Sequence, residues 1–221
     1  TLSIANDDPN ENPYNFSIQG TGVAVPEMSL EGNATQITDD DATPDTSDHT
    51  DFGSKDVVGG TVVRIFTIKN TGSADLTLSG TPLVVVGGAN AADFTVTADP
   101  VSPVGHTNGS TTFQVTFDPS ATGTRSATLS IANDDSDENP YDFSIQGIGI
   151  APEMTVVGNE DEIADGDDTP AADDHTDFGN ADIAAGSVVR TFTISNTGTD
   201  SLHLSGTPIV TLGGADAAEF S

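Results

Sequence analysis

Four aspartates in one short stretch carry the clearest chemical possibility in this sequence. In ITDDDATPDTSDHTDFG (residues 37–53), Asp39, Asp41, Asp48 and Asp51 stand among six aspartates in seventeen positions, with no lysine or arginine between them. IADGDDTPAADDHTDFG (163–179) repeats the stretch and supplies Asp165, Asp167, Asp174 and Asp177 at the matching places. A D-x-D spacing offers carboxylate oxygens to a hard cation, and Ca²⁺ takes six to eight oxygens in flexible geometry, so a loop suits it. These eight residues are the first candidates for metal ligation, with Ca²⁺ as the ion. The pattern lacks the glycine and terminal glutamate of an EF-hand loop, and a solvated acidic loop is the competing reading. A second, weaker set is Asp134, Asp135, Asp137 and Glu138 in NDDSDENPY (133–141), whose Asn, Asp and Pro also read as a hairpin tip.

The remaining polar motifs point away from catalysis. His49 and His175 sit in DHTDFG in both copies, but no second nitrogen ligand accompanies them. The expected role is a hydrogen bond that pins the acidic loop. His106 and His203 lack even a counterpart histidine. VGGANAADF has doubled glycines but no G-x-G-x-x-G and no following helix, so it does not cradle phosphate. Glycoside hydrolysis needs two acids around a sugar, and with no tryptophan and only two tyrosines, Tyr14 and Tyr141, there is no aromatic platform. No nucleophile and base are set by spacing. The expectation is no catalytic residue and no enzyme.

Composition narrows the partners. Thirty-five acids face five bases (Lys55, Arg64, Lys69, Arg125, Arg190), giving a formal charge of -30. Nucleic acid and anionic membrane surfaces are repelled, because binding them takes clusters of Lys and Arg. No apolar run is long enough to span a bilayer. Cysteine is absent, so neither disulfides nor thiolate metal sites contribute. The chain opens at Thr1 without a signal segment, and is expected to be a mature or excised portion of something longer. An acidic chain free of cysteine and poor in lysine is expected at a bacterial cell surface or outside the cell.

The elements that must position these residues follow from an internal repeat. TLSIANDDPNENPYNFSIQGTG (1–22) returns as TLSIANDDSDENPYDFSIQGIG (128–149), an offset of 127. TVVRIFTIKNTGSADLTLSG begins at 61 and its counterpart SVVRTFTISNTGTDSLHLSG at 187, an offset of 126, because GVAVPEM has become GIAPEM. The unit is domain-sized. If PEM opens it, residues 1–24 are the last strands of one unit, 25–150 a whole unit and 151–221 the front of the next. The chain reads as a window on a tandem array.

Within the unit, TVVRIFTIKN, ADLTLSG, DFTVTAD, TTFQVTFD, RSATLSIAN and YDFSIQGIGI are alternating or β-branched runs closed by Gly, Pro, Asn or Asp. Phe66 and Ile68 share one face of their strand, and Phe113, Val115 and Phe117 share one face of theirs. One amphipathic sheet cannot bury itself, so the fold class is all-β, a tandem series of immunoglobulin-like antiparallel β-sandwiches. NTG at 70–72 and 196–198 and DPSATG at 118–123 read as turns in which Gly takes a positive φ.

FTIKNTGSADLTLSG, ADFTVTADPVSP, STTFQVTFDPSATGTRSATLSIANDD, ENPYDFSIQGIG and PEM resemble, in that order, the choice-of-anchor D repeat of bacterial surface proteins, akin to the ASH-type immunoglobulin-like domains. The resemblance implies a tandem module in a large exported protein. The resulting expectation is a stalk or spacer with acidic loops stiffened by Ca²⁺ near the domain junctions, its partners being neighbouring repeats and copies of itself in a filament. The alternative is an adhesin module that binds carbohydrate or a host protein.

Overall fold

In a computed structural model that describes residues 1–221, the chain is built of strands and turns, with single-turn 3-10 segments at Ala91–Asp93 and Ala217–Glu219. In chain order the strands are β1 (Leu2–Ile4), β2 (Tyr14–Phe16), β3 (Met28–Gly32), β4 (Thr35–Ile37), β5 (Asp51–Asp56), β6 (Val62–Asn70) and β7 (Val85–Gly87). There follow β8 (Phe94–Ala98), β9 (Gly109–Phe117), β10 (Gly123–Ile131), β11 (Tyr141–Ile150), β12 (Met154–Gly158), β13 (Asp161–Ile163) and β14 (Phe192–Asn196). No helix is long and apolar enough to cross a membrane.

Nine of these strands, β3 to β11, form two facing sheets. One is antiparallel with the order β4-β3-β6-β9-β8, and the other has the order β5-β11-β10-β7. Strict alternation on β6, β9, β10 and β11 sends every second side chain inward. All 20 residues of the hydrophobic core lie between Met28 and Ile145. At its centre Phe66 stacks on Phe113 and Phe94 on Phe117, with ring centroids 5.2 and 4.8 Å apart, while Phe52 from β5 meets Phe94 edge-on at 5.4 Å. Each such ring stabilises the sandwich by about 1.5–3 kcal/mol through burial. The all-β immunoglobulin-like sandwich expected from alternation is therefore what forms.

Two strand expectations need correction. The sandwich is not wholly antiparallel, because β5 runs parallel to β11, with a register shift between Gln146 and Ile148. The acidic loop crosses from one sheet to the other before β5 begins, so the chain reaches that edge without a hairpin reversal. ADLTLSG is not a ladder strand either. It threads between the sheets, pairing once at Leu76 with Val104 and once at Leu78 with Asn133, and both leucines are buried.

The flanking segments reproduce local pieces of this sandwich. β1 pairs with β2 through Leu2–Phe16 and Ile4–Tyr14, as β10 pairs with β11 through Leu129–Phe143 and Ile131–Tyr141. β14 pairs with β12 as β6 pairs with β3, Met154 opposite Asn196 matching Met28 opposite Asn70. Their apolar faces have no opposing sheet in this chain: Phe192 is 39% exposed where Phe66 is 0%.

Candidate repeat junction

The acidic loop turns its carboxylates on its own backbone. Asp41 Oδ1 accepts from Thr43 N (2.9 Å) and Thr43 Oγ1 (2.6 Å), and Asp48 Oδ1 from Thr50 N (2.9 Å) and Thr50 Oγ1 (2.6 Å). Asp51 Oδ1 accepts from Gly53 N (2.8 Å), Asp51 Oδ2 from Gln146 Nε2 (2.9 Å), and Asp39 Oδ1 from Asp142 N (2.7 Å). Asp167, Asp174 and Asp177 make the same local bonds to Thr169, Thr176 and Gly179, while Asp165 is exposed. The bonds to the residue two positions on are local side-chain-to-backbone turns, in which an aspartate replaces the ladder bond a loop lacks, while Asp39 and Asp51 also reach β11. The four carboxylates of each loop are not brought into one group of neighbouring oxygens.

Conformation fixes the loop further. Gly32 on β3 lies so close that a Cβ there would overlap the Asp48 carbonyl oxygen, and Gly158 meets Asp174 in the same way. His49 holds a left-handed φ of 69°. Its ring does not supply the expected pin, since Nδ1 is buried with no hydrogen-bond partner. Burial first, and then the charge of Arg64, lower the pKa of this imidazole, so the ring is neutral near pH 7 and the loop is held by the aspartates.

The hairpin tip does gather acids. Asn133 shapes it, accepting from Asp135 N (2.8 Å) and donating through Nδ2 to the carbonyls of Ile131 (3.1 Å) and Glu138 (2.7 Å). Asp135, 2% exposed, accepts from Met28 N at 2.6 Å and so ties the tip to the first strand of the sandwich. Asp134 points elsewhere, to Thr77 N (2.7 Å). Its place among the candidate ligands is taken by Glu27, which sequence reasoning missed: Glu27, Asp135, Asp137 and Glu138 each offer an oxygen within 4.8 Å of the others. The Glu of the PEM motif was the available signal, though it reads as a boundary mark until β3 and the tip are seen together.

Four carboxylates this close oppose one another's ionisation. Burial, then a hydrogen bond with Asp135, then the charges of Asp135, Glu27 and Asp137 push Glu138 up to about 7. Burial and the charges of Asp135 and Asp137 raise Glu27 as well. Oε2 of Glu138 is buried without a partner. A divalent cation would remove this repulsion, and carboxylates from a tip and an adjoining strand are ligands that Ca²⁺ accepts. Below the tip, the buried Tyr141 donates its hydroxyl to the Ile37 carbonyl, an anchor by hydrogen bond as well as packing; burial raises its pKa to about 12.

Glu27 is placed by a clasp built on NTG. Asn70, fully buried at the end of β6, accepts through Oδ1 from Glu27 N (3.2 Å) and Gly72 N (3.0 Å) and donates through Nδ2 to the carbonyls of Ala74 (2.8 Å) and Val104 (3.0 Å). The incoming segment is held along its length. Thr71 N donates to Glu27 O (2.8 Å), Ser73 N and Ala74 N donate to Val25 O (2.8 and 3.0 Å), and Val25 N donates to Ser73 Oγ (3.2 Å). Gly72 is needed for close approach rather than for the positive φ expected of this turn: a Cβ would stand 2.5 Å from Glu27 N and Val25 O. In DPSATG, by contrast, Gly123 does take a φ of 89°. Asn196, Thr197, Thr199 and Asp200 grip Ala151 and Glu153 with the matching bonds.

A sandwich entered through a clasped strand is an immunoglobulin-like module. A family model for the HYDIN/CFA65/VesB-like Ig-like domain matches residues 45–148, most of the closed sandwich, which supports that class and does not single out the choice-of-anchor D repeat. Among solved structures, the chain is similar to a protein of unknown function from Porphyromonas gingivalis W83, at 18% identity over 57% of this chain, with a TM-score of 0.38. This chain spans 46% of that protein's length. It is also similar to the ASH / PapD-like domain of human CEP192 (PapD-like domain 7), at 16% identity over 63% of this chain and 97% of that one, with a TM-score of 0.34. No curated protein matches.

Proposed function

We propose that this chain is part of a tandem array of structural modules, the stalk or fibre of a bacterial protein at the cell surface or outside the cell, with Ca²⁺ stiffening its joints. Its role is mechanical rather than catalytic: reach, stiffness, and end-to-end or lateral packing with copies of itself. The observation that carries this reading is the placement of Glu27. The clasp that receives the incoming segment also sets Glu27 beside Asp135, Asp137 and Glu138, so an ion bound there bridges the linker and the hairpin tip of the sandwich it enters. The loop aspartates Asp39, Asp41, Asp48 and Asp51 shape the turn that leads into β5, and the cation is assigned to the tetrad. Residues 1–24 and 151–221 are read as pieces of the neighbouring repeats.

A second reading is a binding module for carbohydrate or a partner protein. It is favoured by a groove of about 330 Å³ on the four-stranded sheet, whose lining includes Ser126, Thr128, Ser144 and Gln146, side chains suited to hydroxyl-rich ligands.

Melting curves of the chain in calcium, magnesium and chelator at constant ionic strength test the ion. An ion at 100 times its dissociation constant stabilises the folded state by about 2.7 kcal/mol, so a calcium-selective rise of several degrees is expected. Glu138→Gln should abolish that rise. The carboxyl of Glu138 is held above its unfolded value of 4.5, so the folded state binds the extra proton between about 4.5 and 7, and this group's contribution to stability falls as pH rises through that window. In chelator, Glu138→Gln should therefore gain on the parent chain from pH 5 to pH 7.5. Coincident curves in all three solutions would leave a plain acidic spacer.

A further inference from the structure

The two linkers in this chain differ by one residue, and the clasps make that difference countable. Gly22 corresponds to Gly149, and Met28 to Met154. At the second joint, Ile150 is the last residue of β11 and its carbonyl accepts from Val57 N (2.9 Å), which ties it to the sandwich behind. The very next residue, Ala151, accepts from Thr199 N (2.8 Å) and Asp200 N (3.1 Å) and donates to Thr199 Oγ1 (3.1 Å), which ties it to the unit ahead. No residue stands between the two grips, and Pro152 beyond them has its φ fixed by its ring. At the first joint Val23 is the counterpart of Ile150, and Val25, gripped by Ser73 and Ala74, is the counterpart of Ala151. Ala24 stands between them.

In extended backbone one residue advances the chain by about 3.3 Å and turns the next side chain to the opposite face. A one-residue slip therefore reverses everything downstream about the strand axis. We infer that the number of residues between successive grips sets the roll of one repeat on the next, so that this array contains two kinds of joint, related by about half a turn. This rests on the reading of the chain as stiffly jointed repeats. Its consequence is that the acidic tips of successive sandwiches do not all face one side, and that linker length, rather than any surface contact, encodes which side a neighbour meets.

The chain has no cysteine, so a pair of spin labels can be placed without competition, at Thr95→Cys on β8 and Glu162→Cys on β13, both exposed. The parent chain should give one narrow distance distribution. Inserting an alanine between Ile150 and Ala151 should keep it narrow and move its centre by about 10 Å or more, the thickness of a sandwich. A second inserted alanine should bring the roll back. A narrow distribution that does not move on the first insertion would overturn the roll inference and leave the stiff spacer standing. A broad distribution in the parent chain would overturn both.

Discussion

Replacing Asn70 with alanine is expected to cost about 4 kcal/mol, since its one buried side chain satisfies four backbone groups and an unsatisfied buried group costs about 1–3 kcal/mol. Two N–H groups, on Glu27 and Gly72, lose their acceptor, and the Ala74 and Val104 carbonyls lose a donor. Domain stabilities are of order 5–15 kcal/mol, so the variant should stand near the edge of folding. Urea unfolding checks this: the midpoint should fall sharply while the slope is unchanged. Asn70→Asp keeps the acceptor but turns an acceptor-only carboxylate on the Ala74 and Val104 carbonyls, and should be no more stable than the alanine variant. A loss below about 1 kcal/mol for alanine would mean that water replaces the side chain easily, and that the segment is not clasped.

Gly32→Ala is expected to cost about 3 kcal/mol, at the upper end of overpacking. The new methyl would occupy the position of the Asp48 carbonyl oxygen and crowd the Phe66 ring at 3.3 Å. Neither neighbour yields cheaply, because Asp48 is fixed by its bonds to Thr50 and Phe66 stacks on Phe113. The acidic loop should be displaced as a unit, visible as amide shifts confined to residues 45–53 and their neighbours on β11, together with a lowered urea midpoint. Unchanged shifts in the loop would show that β3 and the loop are not in register contact.

The sequence made the architecture plain where side chains alternate over long strands. β6, β9, β10 and β11 each run for nine or ten residues with an inward apolar row, and the hairpin-tip residues at 133–141 mark β10 and β11 as neighbours. β4, β5 and β7 escape notice because three to six residues such as TQI, DFGSKD and VVG carry too little pattern and become strands only by lying against an existing edge. ADLTLSG has a perfect alternation and still is not a strand, since Leu76 and Leu78 reach the core from a chain that crosses between sheets.

The candidate site divides in the same way. The hairpin acids Asp135, Asp137 and Glu138 are legible because they are adjacent in sequence and already part of a turn. Glu27 is more than a hundred residues away and joins them only in the fold, through the Asn70 clasp and the bond from Met28 N to Asp135. The loop aspartates illustrate the opposite limit: a dense D-x-D pattern draws attention to ions, but a threonine or glycine two residues on lets Asp41, Asp48 and Asp51 each close a local turn. Gly72 is a turn residue by type, yet the reason for it lies in the segment of residues 25–27, which must pass over it.

Amide hydrogen exchange at the joint tests the clasped, cation-stiffened spacer most directly. If the incoming segment is part of the sandwich, the amides of Glu27, Thr71, Ser73 and Ala74, each bonded across the joint, should exchange as slowly as those of β6 and β9, and more slowly again in calcium. Exchange at the rate of open loops, unaltered by calcium while the core amides stay protected, would contradict it: the repeats would then be beads on free linkers.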